Sequence, residues 1–273
     1  MLKIGISSAY DFSRTSNESS PLCPVDPNFP KVAIQYSRGG QILFYQDLYS
    51  QYSRLKFTRI GDRPIAIAGL EKRVIHAFNT LGGFGVFDDG HSLLRRTLLW
   101  HRGFGESTLD RIEFPPDRHM TVPTWSWMAY EGGIDYLDLP FDGVDWEEKE
   151  IRSPWKPGSA GVWHTVDQIG ITELSAVARD FDFKESTGQQ SQIIYDIPAT
   201  TDGVVNQQVK CVVVGRLKSV EYPERDKMHY VLLITQRPSQ TFRGEQVYER
   251  VGVGYMPGSW INLDQPGTAV KIR

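Results

Sequence analysis

Cysteine is nearly absent from this chain: its 273 residues hold two, Cys23 and Cys211, far apart in sequence. That is too few for a disulfide framework, and free thiols in a reducing, cytoplasmic compartment are the expectation. Zinc sites built on cysteine pairs are excluded by the same scarcity. Histidine is sparse as well. His76, His91, His101, His119, His164 and His229 share no metal-ligand spacing, so no metal is expected and each reads as structural or solvent-exposed. Long apolar runs are missing. None approaches the roughly 20 residues that cross a bilayer, so no membrane span is expected. Lys3 is the sole early cation, and Gly5 and Ser7 interrupt the short apolar run beside it, which excludes a signal peptide reading. There is no surplus of positive charge: 30 Lys and Arg stand against 33 Asp and Glu, a net charge of −3, so nucleic acid is not an expected partner. Gly-x-Ser-x-Gly and Walker-type motifs are absent. Gly82, Gly83 and Gly85 follow a predicted helix instead of opening one, so they read as a helix end and loop and not as a phosphate cradle.

What is present is an aromatic concentration. Val122 to Phe141 reads VPTWSWMAYEGGIDYLDLPF, with Trp125, Trp127, Tyr130 and Tyr136 around the pair Gly132-Gly133. So many large rings in a short span must be buried or form a binding face. The glycine pair allows a sharp turn, and Ile134, Tyr136 and Leu139 suggest a strand after it. Strand alternation would put Trp125 and Trp127 on opposite faces, both buried, joining a helical part to a β-part.

This stretch, preceded by Leu98-Leu99-Trp100-His101, resembles the segment near the end of fungal heterokaryon-incompatibility (HET) domain proteins, where a Pro-Ser/Thr-Trp-Ser-Trp motif follows Leu-Leu-Trp. Tyr52-Ser53-Arg54-Leu55-Lys56-Phe57-Thr58 and Asp62 to Leu70 are similar to a second segment of that family, with Arg63-Pro64 about where a leucine is usual. YERVGVG, Tyr248 to Gly254, is similar to a third, near the family's C-terminus. The first two cover about Tyr49 to Phe141. The family's upstream motifs, Y-x-x-L-S-Y-x-W-G, I-x-Q and R-x-W-x-x-Q-E, do not stand in this sequence. The resemblance therefore implies a truncated or degenerate member: a non-catalytic interaction or regulatory protein related to fungal non-self recognition. It would work through a protein partner or self-association, without a cofactor. Trp100, Pro123, Trp125, Trp127, Gly132, Gly133 and Tyr136 are the implied structural motif. The HET domain is distantly similar to TIR domains, which oligomerise and in some cases cleave NAD, so a remote TIR-like NAD hydrolase fragment is one alternative.

The expected fold class is α+β: a small helical region followed by an antiparallel β-barrel or sandwich-like domain. Residues 1–40 read as a poorly ordered leader and 41–105 as a helical remnant. Residues 106–165 read as an aromatic-rich connector with a strand, and 166–273 as the antiparallel domain. Helices are expected from Asp47, from Asp62 to Gly82-Gly83, and from Ser92 to Trp100, with Arg95 and Arg96 turned outward to solvent. Strands are expected over 174–183, 192–197, 209–220, 229–235, 247–255 and 269–272, with a bulge at Gly215.

The second alternative is a carbohydrate-binding or glycoside-cleaving β-domain. Its binding residues would be Asp135, Asp138 and Trp146, drawn from an acidic group reaching Glu150. Trp125, Trp127, Trp155 and Trp163 would complete a stacking platform. A solvated acidic loop beside buried tryptophans is the plainer reading, and no residue is assigned a catalytic role.

Overall fold

The computed structural model describes residues 38–114, 122–155, 173–182, 191–198, 208–219, 222–242 and 245–273. Most of the expected leader, together with Cys23, His119, Trp163 and His164, lies outside them.

Three helices open the described chain. Helix α1 spans Arg38–Ser53 and buries Ile42, Phe44, Tyr45 and Tyr49. It begins well before Asp47, the expected start. The buried stripe extends back to Ile42, and the Asp47 carboxylate accepts a bond from Gln51 Nε2 at 2.7 Å one turn on instead of capping. Helix α2 spans Arg63–Phe78, with Asp62 at the cap position and Pro64 in the first turn. It stops before the glycines expected to end it, because Asn79 takes the left-handed conformation at φ 50°. Gly82 and Gly83 belong instead to a hairpin of β1 (Leu81–Gly83) and β2 (Val86–Asp88). Its turn is Phe84-Gly85, both at positive φ, as a tight two-residue hairpin demands. Helix α3 is short, Leu93–Leu98.

The aromatic segment is held by two small antiparallel pairs. β3 (Trp100–Arg102) pairs with β6 (Ile134–Tyr136), and β4 (Asp110–Arg111) with β5 (Tyr130–Glu131). The remaining strands form one large sheet: β7 (Val144–Trp146), β8 (Ile151–Arg152), β9 (Leu174–Ala178), β10 (Gln192–Tyr195), β11 (Val209–Leu217), β12 (Met228–Phe242), β13 (Glu245–Pro257) and β14 (Thr268–Ile272). Their order is β7-β11-β12-β13-β14-β9-β8, with β10 also on β13. The protein is thus α+β with a mostly antiparallel sheet. The sheet is not a closed barrel: β7 and β8 stand at its two ends, and the Arg179–Cys211 contact between β9 and β11 is an isolated bridge. A purely antiparallel domain is also corrected, since β13 and β14 run parallel through Val247↔Lys271 and Tyr248↔Ile272.

The strand pattern explains the sheet's two covered faces. Val212, Val214, Tyr230, Leu232 and Ile234 join the core shared with the helices and the tryptophans. Cys211, Val213, Val231 and Leu233 join Met256, Trp260 and Ile261 on the opposite side. The register slips between Val213 and Gly215, where the bulge was expected. The alternating glycines of YERVGVG have a backbone reason. A Cβ on Gly252 would lie 2.5 Å from Ile194 O, and one on Gly254 2.5 Å from Gln192 O, so the glycines let the β10 backbone approach β13 closely where the two pair.

Candidate functional site

The residues singled out in the sequence converge on the junction between helices and sheet, and they do so as interior structure. Trp100, Trp125 and Trp127 are each 0% exposed. Trp125 and Trp127 are not on a strand, contrary to the alternation argument. Trp127 opens a 3-10 turn, Trp127–Ala129, and Ser126 caps it by accepting from Met128 N at 3.1 Å. The turn is started by Pro123, whose carbonyl accepts from Ser126 N at 3.0 Å. The Ser126 hydroxyl donates onward to Phe84 O in the hairpin at 2.6 Å. Thr124 Oγ1 accepts from Arg250 N at 3.0 Å and donates to the Arg273 carbonyl. The polar residues of Pro-Thr-Trp-Ser-Trp therefore tie this turn to the hairpin, β13 and the C-terminal strand.

The tryptophans fill the space between those ties. Trp127 packs against Tyr49 and Tyr52 of α1, with ring centroids 5.2 and 6.2 Å away. Gly85 makes room for it, since a Cβ there would stand 2.2 Å from the indole nitrogen. Trp125 meets Phe84 and Trp155 edge to face. The Trp100 indole N–H donates to Trp125 O at 2.9 Å. Gly132, at φ 123°, turns the chain where a side chain would strike Leu109, and a Cβ on Gly133 would sit 2.8 Å from Arg54 Cγ. Tyr136 pairs with Trp100 across β3 and β6, and its ring stands edge-on to Tyr45.

Four buried arginines organise this junction. Arg63 donates to the carbonyls of Ser53, Tyr130 and Gly132 while lying over the Trp127 ring at 5.2 Å. Burial pulls its pKa down to about 10. Arg250 donates to Leu98 O, to Trp100 O and to Asp196 Oδ1, and stacks on Trp100. Arg95 reaches Glu147 O and Ile151 O, and Arg96 reaches Leu139 O, Pro140 O and Phe141 O. Arg95 and Arg96 are 6% and 2% exposed, which overturns their reading as a solvated face. A guanidinium has five donors in a planar fork, so one side chain can satisfy several carbonyls of loops that lack ladder partners. The charge is balanced sparingly. The Arg250–Asp196 pair, at 3.1 Å, is 0% and 1% exposed, and burial drives the Asp196 carboxyl up to about 6 against the pull of Arg250.

The candidate sugar-binding residues separate. Both Asp135 oxygens accept from Arg54 Nη2 at 2.9 Å, and Oδ2 also accepts from the Phe104 amide at 2.9 Å, a structural assignment. Asp138 is exposed, on the loop after β6. Trp146 is half-buried on β7 under the Arg96 guanidinium, 5.0 Å from its ring. Glu150 is taken by Arg179, and Trp155 is buried. These positions form no exposed aromatic platform among the described residues. The described histidines divide likewise. His101 Nδ1 sits 2.7 Å from Arg102 O, with burial lowering its pKa, and His229 Nδ1 is 2.9 Å from Lys227 O, while His76 and His91 are exposed.

Sequence reasoning missed the arginine clasps. The signal was present twice: Arg63 was the departure within the second resembling segment, and Arg250 lies inside YERVGVG. The carbonyls that make those residues useful are scattered along the chain, and no local pattern marks them. Comparison of the chain with family models, with curated proteins and with solved structures finds no match.

Proposed function

We propose that this chain is a non-catalytic interaction or regulatory protein related to fungal heterokaryon-incompatibility proteins, acting in the cytoplasm through a protein partner or through itself. The observation that carries the reading is the fate of the resembling residues. Trp100, Trp125, Trp127, Thr124, Ser126, Arg63 and Arg250 are spent on one another and on backbone carbonyls. Residues used in that way specify a scaffold, and a scaffold presents its loops and edges to a partner. A hydrolase would need a nucleophile, a base and a positioning group converging on one open site. Asp135, Glu150, Trp125, Trp127 and Trp155 serve separate structural tasks here, and Asp138 is exposed apart from them.

The test is expression of the whole chain in a filamentous fungus, scored by survival of fused compartments. The expected result is a change in fusion survival that persists when Asp135 and Asp138 are changed to Asn. Unchanged fusion survival would contradict the proposal. So would turnover of NAD or oligosaccharide by the purified chain that a single carboxylate substitution abolishes.

A further inference from the structure

A shallow groove of about 480 Å³ crosses the outer face of the sheet where β8, β9, β14 and the start of β13 lie side by side. It is separate from the tryptophan junction. Among the described residues its charged lining is Lys149, Arg152 and Lys271, with no Asp or Glu. On a chain of net charge −3, that is a concentration of one sign against the average. Two carboxylates beside Lys149 in sequence are engaged: both Glu150 oxygens accept from Arg179, and Glu147 Oε1 accepts from the Lys149 amide. Arg152 and Lys149 are exposed, and neither side chain has an ion-pair partner among the described residues.

The floor is built to be low. On β9 and β14, Leu174, Ala176, Val270 and Ile272 turn into the core. The alternation leaves Ser175, Val177, Ala269 and Lys271 facing out, and the first three are small. The Ser175 hydroxyl accepts from Lys271 Nζ at 2.7 Å, which holds that ammonium over the groove. Gln246 and Thr268 also line it. Like charges held together repel, and an anion between them removes that repulsion. Among the described residues no exposed aromatic ring lines the groove, since Tyr248 is only 4% exposed.

We infer that this groove binds a compact ligand bearing several phosphates, with Arg152 and Lys271 as its principal contacts and Lys149 beside them. Arg152 supplies the planar fork suited to phosphate, and Lys271 a fixed point charge. The ligand is a free polyphosphorylated small molecule or the polyphosphorylated headgroup of a lipid, which share this chemistry. The inference stands independently of the regulatory reading above.

The experiment titrates the full chain with inorganic tripolyphosphate at low salt, by calorimetry and by thermal shift. In parallel arms it uses a polyglutamate peptide, neutral phosphatidylcholine vesicles, and the same vesicles doped with phosphatidylinositol bisphosphate. Saturable, salt-sensitive binding of tripolyphosphate is expected. Arg152→Gln should weaken it by about tenfold or more, the loss of one charge-assisted contact. Adding Lys271→Gln should weaken it further, and Lys218→Gln, on β7's side of the sheet, should leave it unchanged. Residues 152 and 271 are not part of the core, and near-ultraviolet circular dichroism checks that both variants remain folded. Binding to the doped vesicles as well identifies the lipid source, and binding to tripolyphosphate alone the free one. The inference is overturned by no saturable tripolyphosphate binding, by equal weakening in Lys218→Gln, or by tighter binding of polyglutamate.

Discussion

Replacing Arg250 by Met should come close to unfolding the protein. The side chain is 0% exposed and makes three kinds of contact: the Leu98 and Trp100 carbonyls, the Asp196 carboxylate, and the Trp100 ring. Methionine keeps the volume and the ring contact but supplies no donor. Asp196, 1% exposed, would then be a buried carboxyl without its partner, which costs about 3–5 kcal/mol. Each stranded carbonyl adds about 1–3 kcal/mol, less where relaxation admits water. A domain of ordinary stability has about 5–15 kcal/mol in all, so the variant should lose most of it. Urea denaturation followed by tryptophan fluorescence measures the loss. The companion change Asp196→Leu separates charge from shape. In Arg250→Met/Asp196→Leu no uncompensated charge remains, so the double variant should be more stable than Arg250→Met alone by about 2 kcal/mol or more. The reasoning is refuted if Arg250→Met costs under about 0.5 kcal/mol, the range of surface changes. Strict additivity of the two single effects would refute it equally.

Other expectations follow from neighbouring groups. Trp127→Ala should cost about 3–5 kcal/mol by the same assay, as for other buried tryptophans. Gly85→Ala should also destabilise, since it adds a methyl against the Trp127 indole at a backbone of φ 75°. The Asp196 carboxyl, pushed up by burial to about 6 from its ordinary value of 3.8, binds its proton more readily folded than unfolded. Its contribution to stability is therefore fully present below about pH 3.8 and is lost as pH rises through about 6. The difference between wild-type and Asp196→Asn unfolding energies across that window checks the sign. The Cys211 thiol, 0% exposed and driven up to about 12 by burial, should resist iodoacetamide in the native protein and react in urea, read by mass spectrometry of its peptide.

Legibility in the sequence followed the range of the interactions. Strands β11 to β13 were readable because β-branched residues run between clear turn signals, and the Gly215 bulge was readable because a glycine interrupts that run. Helix α2 was readable from Asp62 and Pro64. The start of α1 was not, because Gly39-Gly40 in its first turn reads as a helix break and Asp47 imitates a cap in mid-helix. The parallel pairing of β13 with β14 joins residues far apart in sequence, and no local pattern encodes which neighbour a strand will take. At the junction, burial of the tryptophans was inferable from their size and crowding. Arg95 and Arg96 looked like a solvated face because charge ordinarily marks one. They are buried because the loops over 139–141 and 147–151 present bare carbonyls to them, a fact of tertiary structure alone.

The central claim is that the Pro-Thr-Trp-Ser-Trp segment is interior scaffold and not a ligand face. Hydrogen exchange of the Trp100 indole N–H, followed by NMR on protein labelled at tryptophan, tests it most directly. That proton is donated to Trp125 O at 2.9 Å inside a side chain 0% exposed. It should exchange only through global unfolding, at a rate set by the total stability of the protein, and should be indifferent to added oligosaccharide. Exchange within seconds under native conditions, or a shift of its resonance on adding oligosaccharide, would contradict the account.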